Sequence, residues 1–128
     1  MRALLDTHAF LWFVGGNGQP SAQARGVIAD PNTDPLLSVA SVWEMAIKIS
    51  LGKLTIPAPF EYFISTQLQR NGMTLLAISV DHAARVVSLP FHHRDPFDRL
   101  LVAQALVERQ PILSADGAFD AYGVNRVW

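Results

Sequence analysis

Hydrophobic residues fall along this chain in short unbroken runs that alternate with stretches of helical spacing. Arg2-Ala3-Leu4-Leu5-Asp6-Thr7 is an apolar run that stops on a carboxylate. A run of this kind, bounded by polar residues, reads as a strand buried on both faces, the pattern of a central parallel strand. The apolar segment His8 to Val14 comes next and ends at Gly15-Gly16-Asn17-Gly18, a turn-rich stretch. Pro20-Ser21 starts a helix through Ala22, Ala24, Val27 and Ile28, with Ser21 as its N-cap, and Pro31 to Pro35 stops it. Leu36-Leu37-Ser38 predicts a second strand, and Ser38 caps a helix from Val39 to Leu51 that Gly52 ends. That helix is apolar nearly all round, with Ser41, Glu44 and Lys48 as its one polar stripe, which predicts burial on most sides.

Leu54 to Pro59 reads as an extended connector. Phe60, Phe63, Ile64 and Leu68 then repeat at helical spacing until Asn71-Gly72. Thr74 to Ile78 predicts a third strand, and Ser79 caps a helix through Ala83, Ala84 and Val87 that Pro90 terminates. Asp95-Pro96 is an N-cap followed by proline at the first helical position, so a helix runs from Pro96 to about Glu108. Its inward stripe is Leu101, Val102 and Ala105, and Asp98 lies on the same stripe one turn earlier. Pro111-Ile112-Leu113-Ser114 repeats the opening pattern, a buried strand followed by an acid, Asp116. The tail gives a short helical turn and a last edge strand at Asn125 to Val127. The alternation predicts an α/β fold, a parallel sheet of about five strands sandwiched between helices, in a single domain over residues 1–128.

Composition narrows the partners. Half of the 128 residues are hydrophobic and only 16% are charged, a balance that predicts apolar surface covered by a partner and favours a homodimer. There is no cysteine, which excludes disulfides and thiolate zinc sites, and no pair of histidines has helical ligand spacing. A net charge of −1 exerts no global pull on nucleic acid, so any such binding needs a local patch. No run reaches the length of a membrane span and no signal-like segment opens the chain, which predicts a cytoplasmic protein.

Three acids fall where parallel strands end or a flanking helix begins: Asp6, Asp98 and Asp116. Glu44 is the fourth candidate. Ligands of open α/β sheets bind outside the carboxyl ends of the strands, and carboxylates gathered there raise one another's pKa unless a cation is present. Mg²⁺ or Mn²⁺ suits such oxygen donors and supports phosphodiester hydrolysis. Each acid also has a plain structural use. Asp6 can cap the next helix. Glu44 can form a capping box with Ser41 or pair with Lys48, and Asp116-Gly117 can be a turn. Asp95 is first of all an N-cap, although it offers a second acid beside Asp98. Thr7 and Ser114 are expected to support the site through hydrogen bonds. Lys48, His92, Arg94 and Arg99 are the candidates for contact with a phosphate backbone. His93 reads as part of a solvated loop, and His8 as core or rim.

The segments Leu4-Leu5-Asp6-Thr7-His8, Ser38-Val39-Ala40-Ser41-Val42-Trp43-Glu44, Asp95-Pro96-Phe97-Asp98-Arg99-Leu100-Leu101-Val102-Ala103-Gln104-Ala105 and Ile112-Leu113-Ser114-Ala115-Asp116, with Phe119 and Tyr122-Gly123-Val124, together resemble the PIN domain, and within it the VapC-type ribonuclease toxins. The resemblance covers essentially the whole chain. It implies an acidic Mg²⁺ or Mn²⁺ site made of Asp6, Glu44, Asp98 and Asp116 with Ser114 in support, cleavage of RNA, and a cognate antitoxin. The competing expectation is a non-catalytic signalling or interaction module with an acidic pocket. A phosphoreceiver, one such module, needs paired acids after the first strand and a late lysine. Here Asp6 stands alone and no lysine follows Lys53.

Overall fold

In the computed structural model, which describes residues 1–15, 20–57 and 59–128, β1 (Arg2–Leu5) runs at the centre of a five-stranded sheet. It lies between β2 (Asp34–Ser38) and β4 (Ile112–Leu113), with β3 (Thr74–Leu76) and β5 (Arg126–Val127) at the two edges. Every pairing is parallel. Leu4 faces Leu36 and Ile112 in register, and Leu5 faces Leu37 and Leu113. The short apolar runs are therefore strands buried on both faces, as their pattern predicts. Alternate side chains point to opposite sides, so each run feeds two cores. Ala3, Leu5, Leu37 and Leu113 pack with Phe10, Met45 and Phe63 on one side. On the other, Leu4, Leu36 and Ile112 pack with Leu101, Val102 and Phe119.

Six α-helices among the described residues flank the sheet: α1 (Thr7–Gly15), α2 (Ala22–Ala29), α3 (Val39–Ser50), α4 (Phe60–Arg70), α5 (Val80–Val87) and α6 (Pro96–Glu108). Their starts are written in their caps. Ser21, Ser38, Ser79 and Asp95 each accept a backbone N–H of the first turn. A 3₁₀ helix, Gly117–Tyr122, replaces the helical turn expected in the tail. The turn expected at Gly16 to Gly18 lies outside the described residues, as does Ala58 of the connector.

Three local readings change. The second strand starts at Asp34 rather than Leu36 and includes Pro35. Pro35 lacks an N–H, but β3 pairs with β2 only from Leu36 onward, so the missing donor falls outside that ladder. The helix α3 is not buried on most sides: Trp43 is 60% exposed and packs edge-on against Phe97 at 5.5 Å. Its fully buried residues are Ala40 and Met45 together with the polar Ser41 and Glu44. Ser38, not Ser41, caps this helix, so the Ser41–Glu44 capping box does not form.

Buried polar side chains tie the second layer together. Ser38 Oγ donates to Gln104 Oε1 at 2.5 Å, and Gln104 Nε2 reaches the carbonyl of Ala77 at 3.4 Å. The buried His82 accepts the N–H of Ser79 and meets Glu108 at 2.9 Å. Arg99 corrects an expectation. It is only 5% exposed, so it is no surface contact for a nucleic acid. Its guanidinium donates to the carbonyls of Pro90, Val86 and Leu89 at 2.8, 3.3 and 3.3 Å and lies 4.0 Å over the Phe91 ring. The loop between α5 and α6 is folded around it. Replacing it takes a donor from each and leaves the buried Leu89 carbonyl unsatisfied, a loss of about 1–3 kcal/mol, to which the lost guanidinium–Phe91 contact adds. Arg99→Met should therefore lower unfolding free energy by about 2 kcal/mol or more in urea titration, and an unchanged midpoint would contradict this role.

Candidate metal centre

Because β1, β2 and β4 run parallel, their carboxyl ends share one edge of the sheet. The segments that leave that edge bring the site together. Asp6 follows β1, and its N–H is held by the Leu113 carbonyl of β4 at 3.1 Å. Its Oδ1 accepts the N–H of Ala9 at 2.6 Å and so caps α1. Ser114 follows β4; its side chain hydrogen-bonds the Asp6 carboxylate, while its Oγ accepts the N–H of Asp116 at 3.0 Å. One serine thus fixes two of the acids. Asp116 Oδ1 caps the 3₁₀ helix through Ala118 N–H at 3.0 Å. Asp98 sits in the first turn of α6, where Asp95 Oδ1 accepts its N–H at 3.2 Å.

Glu44 arrives from α3. Thr7 Oγ1 donates to Glu44 Oε1 at 2.7 Å and lies 2.9 Å from Ser41 Oγ, while Lys48 Nζ meets Glu44 Oε2 at 2.8 Å. The pair with Lys48 is therefore formed, and it offsets the charge of a carboxylate that is almost fully buried. The charges of Glu44 and Asp6 both act on Asp98, and that of Asp116 acts on Asp6. The charges of the four acids thus reach one another, while the donor atoms that lie within 4.8 Å of one another are those of Asp98 and Asp116 with His93.

Their electrostatics is that of a crowded, partly dry hollow. Burial pushes the Asp6 carboxyl above its ordinary value, against the opposing hydrogen bonds from Ser114 and Ala9. Asp98 is raised to about 7, first by burial and then by the charge of Asp95, with smaller contributions from Glu44 and Asp6; His93 pulls the other way. Desolvation and like charge both favour the protonated acid, and a hard divalent cation removes that cost. The donor set fits such an ion. Asp98, Asp116 and His93 each offer an atom, all within 4.8 Å of one another.

The supporting roles expected of Thr7 and Ser114 have their hydrogen bonds. Asp95 spends its carboxylate on the cap of α6, accepting from Phe97 and Asp98 N–H, and reaches the site through its charge on Asp98. Of the proposed backbone contacts, Lys48 is engaged with Glu44, Arg99 is buried, and His92 and Arg94 are exposed, with His92 edge-on to Tyr122 at 5.1 Å.

The sequence reading missed His93. Its Nε2 lies 3.2 Å from Asp98 Oδ2 and 3.2 Å from Asp116 Oδ2, and its Nδ1 accepts the Asp95 N–H at 3.2 Å. Its own N–H donates to the Tyr122 hydroxyl at 2.8 Å. Only its place two residues before the Asp95 cap hinted at this, because a loop has no periodicity to read.

The raised pKa of Asp98 has a measurable sign. Its folded-state value of about 7 lies above the unfolded 3.8, so the stability tied to its proton is fully present below the lower value and is lost as pH rises through the upper one. In EDTA the melting temperature should fall between about pH 4 and 7, and Asp98→Asn should flatten that fall. A variant with the same slope as the wild type would refute the assignment.

With the geometry in place, comparison with known proteins is direct. The family model of the PIN domain matches residues 3–125. Ribonuclease VapC16 of Mycobacterium tuberculosis is 41% identical over 61 residues, 48% of this chain and 42% of that protein, so the match spans less than half of the relative's length. The crystal structure of VapBC2 from Rickettsia felis, bound to a DNA fragment from its promoter, superposes with a TM-score of 0.74 at 12% identity over 99% of this chain and 98% of its own. FitAcB from Neisseria gonorrhoeae gives 0.65 at 17% identity over 98% and 96%. At these identities the superpositions speak for the fold: a parallel five-stranded sheet between helices. The chain belongs to the PIN domain family.

Proposed function

We propose that this protein is a divalent-metal-dependent endoribonuclease, the toxin of a toxin–antitoxin pair. The observation that carries the reading is the acidic hollow beyond the carboxyl edge of the sheet, where Asp98 and Asp116 meet at His93, the charges of Asp6 and Glu44 act on Asp98, and burial drives Asp6 and Asp98 toward protonation. The Mycobacterium relative, a ribonuclease, and a toxin–antitoxin complex from Klebsiella pneumoniae among the structural neighbours support it. Asp6, Asp98 and Asp116 would hold Mg²⁺ or Mn²⁺, with Glu44 orienting or completing the set. Such an ion stabilises the charge that develops on a phosphoryl group and activates water for attack.

The chain's own residues prepare that site. Ser114 aims Asp6 and holds the backbone of Asp116; Thr7 aims Glu44; Lys48 pairs with the other oxygen of Glu44. The α6 cap places Asp98. Arg94 and His92, exposed on the neighbouring loop, are the remaining candidates for the RNA backbone. An antitoxin is the proposed partner. A groove of about 450 Å³ lined by Leu11, Trp12, Val14, Leu54, Ile56 and Phe63 offers its apolar residues a seat, and shares Trp12 with the cleft at Asp6 and Asp116. Val80 and Val87, 85% and 88% exposed on one face of α5, support the proposed homodimer. Among the described residues no helix is long and apolar enough to cross a membrane.

Asp6→Asn should reduce Mg²⁺- or Mn²⁺-dependent RNA cleavage by about 100-fold or more, beyond the loss typical of an outer-shell change, with the melting temperature unchanged or raised. A variant that cuts RNA at the wild-type rate would overturn the reading.

A further inference from the structure

We propose that the face of α1 leading away from Asp6 carries a nucleobase subsite, in which Trp12, flanked by His8, stacks an unpaired base of the strand whose phosphate lies at Asp6 and Asp116. This rests on the nuclease reading of the same site.

Residues 8 and 12 are one turn apart and so share a face of α1, about 6 Å along its axis. Their ring centroids are 5.9 Å apart, and the indole of Trp12 is backed by that of Trp128 at 5.6 Å. With Asp6, Ala115 and Asp116, these two residues line an open cleft of about 300 Å³, at the small end of ligand sites. An indole needed only for packing would be enclosed as Phe10 is, on another face of the same helix at 0% exposure. Trp12 is instead half-buried and His8 exposed, at the mouth of an acidic hollow. The chemistry of the cleft is thus divided. Its acidic floor suits a cation and a phosphate, and its aromatic wall suits a flat ring. In a nucleic acid every phosphate has a nucleobase one sugar away, so the two halves of the cleft match one nucleotide.

Stacking is blind to sequence because every base has a π-face, and it contributes about 5- to 150-fold in affinity per base. It is not blind to secondary structure. In an A-form duplex the base is held in its own stack, so Trp12 selects strands that are unpaired next to the cut.

The test is the binding of fluorescein-labelled oligoadenylate in Ca²⁺ buffer, measured by anisotropy. The same strand annealed to oligouridylate and free AMP serve as the other arms. Trp12→Leu, which keeps apolar bulk but removes the ring, should weaken binding of the single strand by about 5-fold or more, and Trp12→Phe should stay near the wild type. The duplex should bind more weakly than the strand. The subsite is overturned if the wild type does not bind the strand, if Trp12→Leu binds as the wild type does, if the duplex binds as tightly as the strand, or if AMP alone matches the strand. Cleavage is scored separately with Mg²⁺ and Mn²⁺. Strand binding through Trp12 without cleavage of any RNA would overturn the nuclease reading and leave the subsite standing, whereas cleavage with binding that ignores Trp12 would overturn the subsite alone.

Discussion

Carboxylates repel one another, and taking them out of water makes the repulsion worse; this protein nevertheless gathers four of them at one edge of its sheet. Asp98 shows the strain most clearly, with its carboxyl raised to about 7. Everything near the edge can be understood as a way of keeping those groups together without letting them turn away. Lys48 takes up one charge, on Glu44, and His93 bridges two others, on Asp98 and Asp116. Asp6 is steadied by a backbone N–H and a serine hydroxyl. What is left uncompensated is the part a hard cation would neutralise.

The same carboxylates also terminate helices. Asp6 caps α1 and Asp116 caps the 3₁₀ helix, while Asp95 caps α6 and thereby sets the orientation of the turn that carries Asp98. A structural use and a chemical use are therefore not alternatives for Asp6 and Asp116. A carboxylate has two oxygens, and in Asp116 one is spent on the helix while the other meets His93. The cap is what gives the acid a fixed direction, which is a requirement of any site that must hold an ion.

Behind the acids lies a second constraint, the placement of α6. Its inner face carries Gln104, pinned to Ser38 at the start of α3, so the helix that supplies Asp98 and the helix that supplies Glu44 are tied through one buried hydrogen bond. Arg99, next in the chain to Asp98, gathers the carbonyls of the preceding loop and so fixes the segment from which His93 reaches the site. Polar residues in this core hold register between elements rather than adding contact with solvent.

The fold was legible because its signals are local. Three-residue apolar runs, Ser and Asp caps, Pro96 at the first helical position and Gly52 or Asn71-Gly72 at the ends are read one segment at a time, and parallel alternation then leaves few arrangements for the sheet. Asp6, Asp98 and Asp116 were legible as candidates for a related reason: each falls at a strand end or in a helix turn whose direction the pattern fixes, whereas the pattern of α3 did not fix the direction of Glu44. What the sequence could not supply was the environment of residues with no periodic neighbour. Arg99 reads as a basic rim residue, and only packing shows its guanidinium turned inward onto three carbonyls. Apolar pattern alone makes α3 a buried helix, although tertiary contacts turn Ser41 and Glu44 inward and leave Trp43 out. His93 and Trp12 acquire meaning only when segments far apart in the chain, 6–12, 93–98 and 114–116, meet at one edge. Periodicity determines which elements form and which side of each is apolar; long-range contact decides which polar atoms face one another across the gap between them.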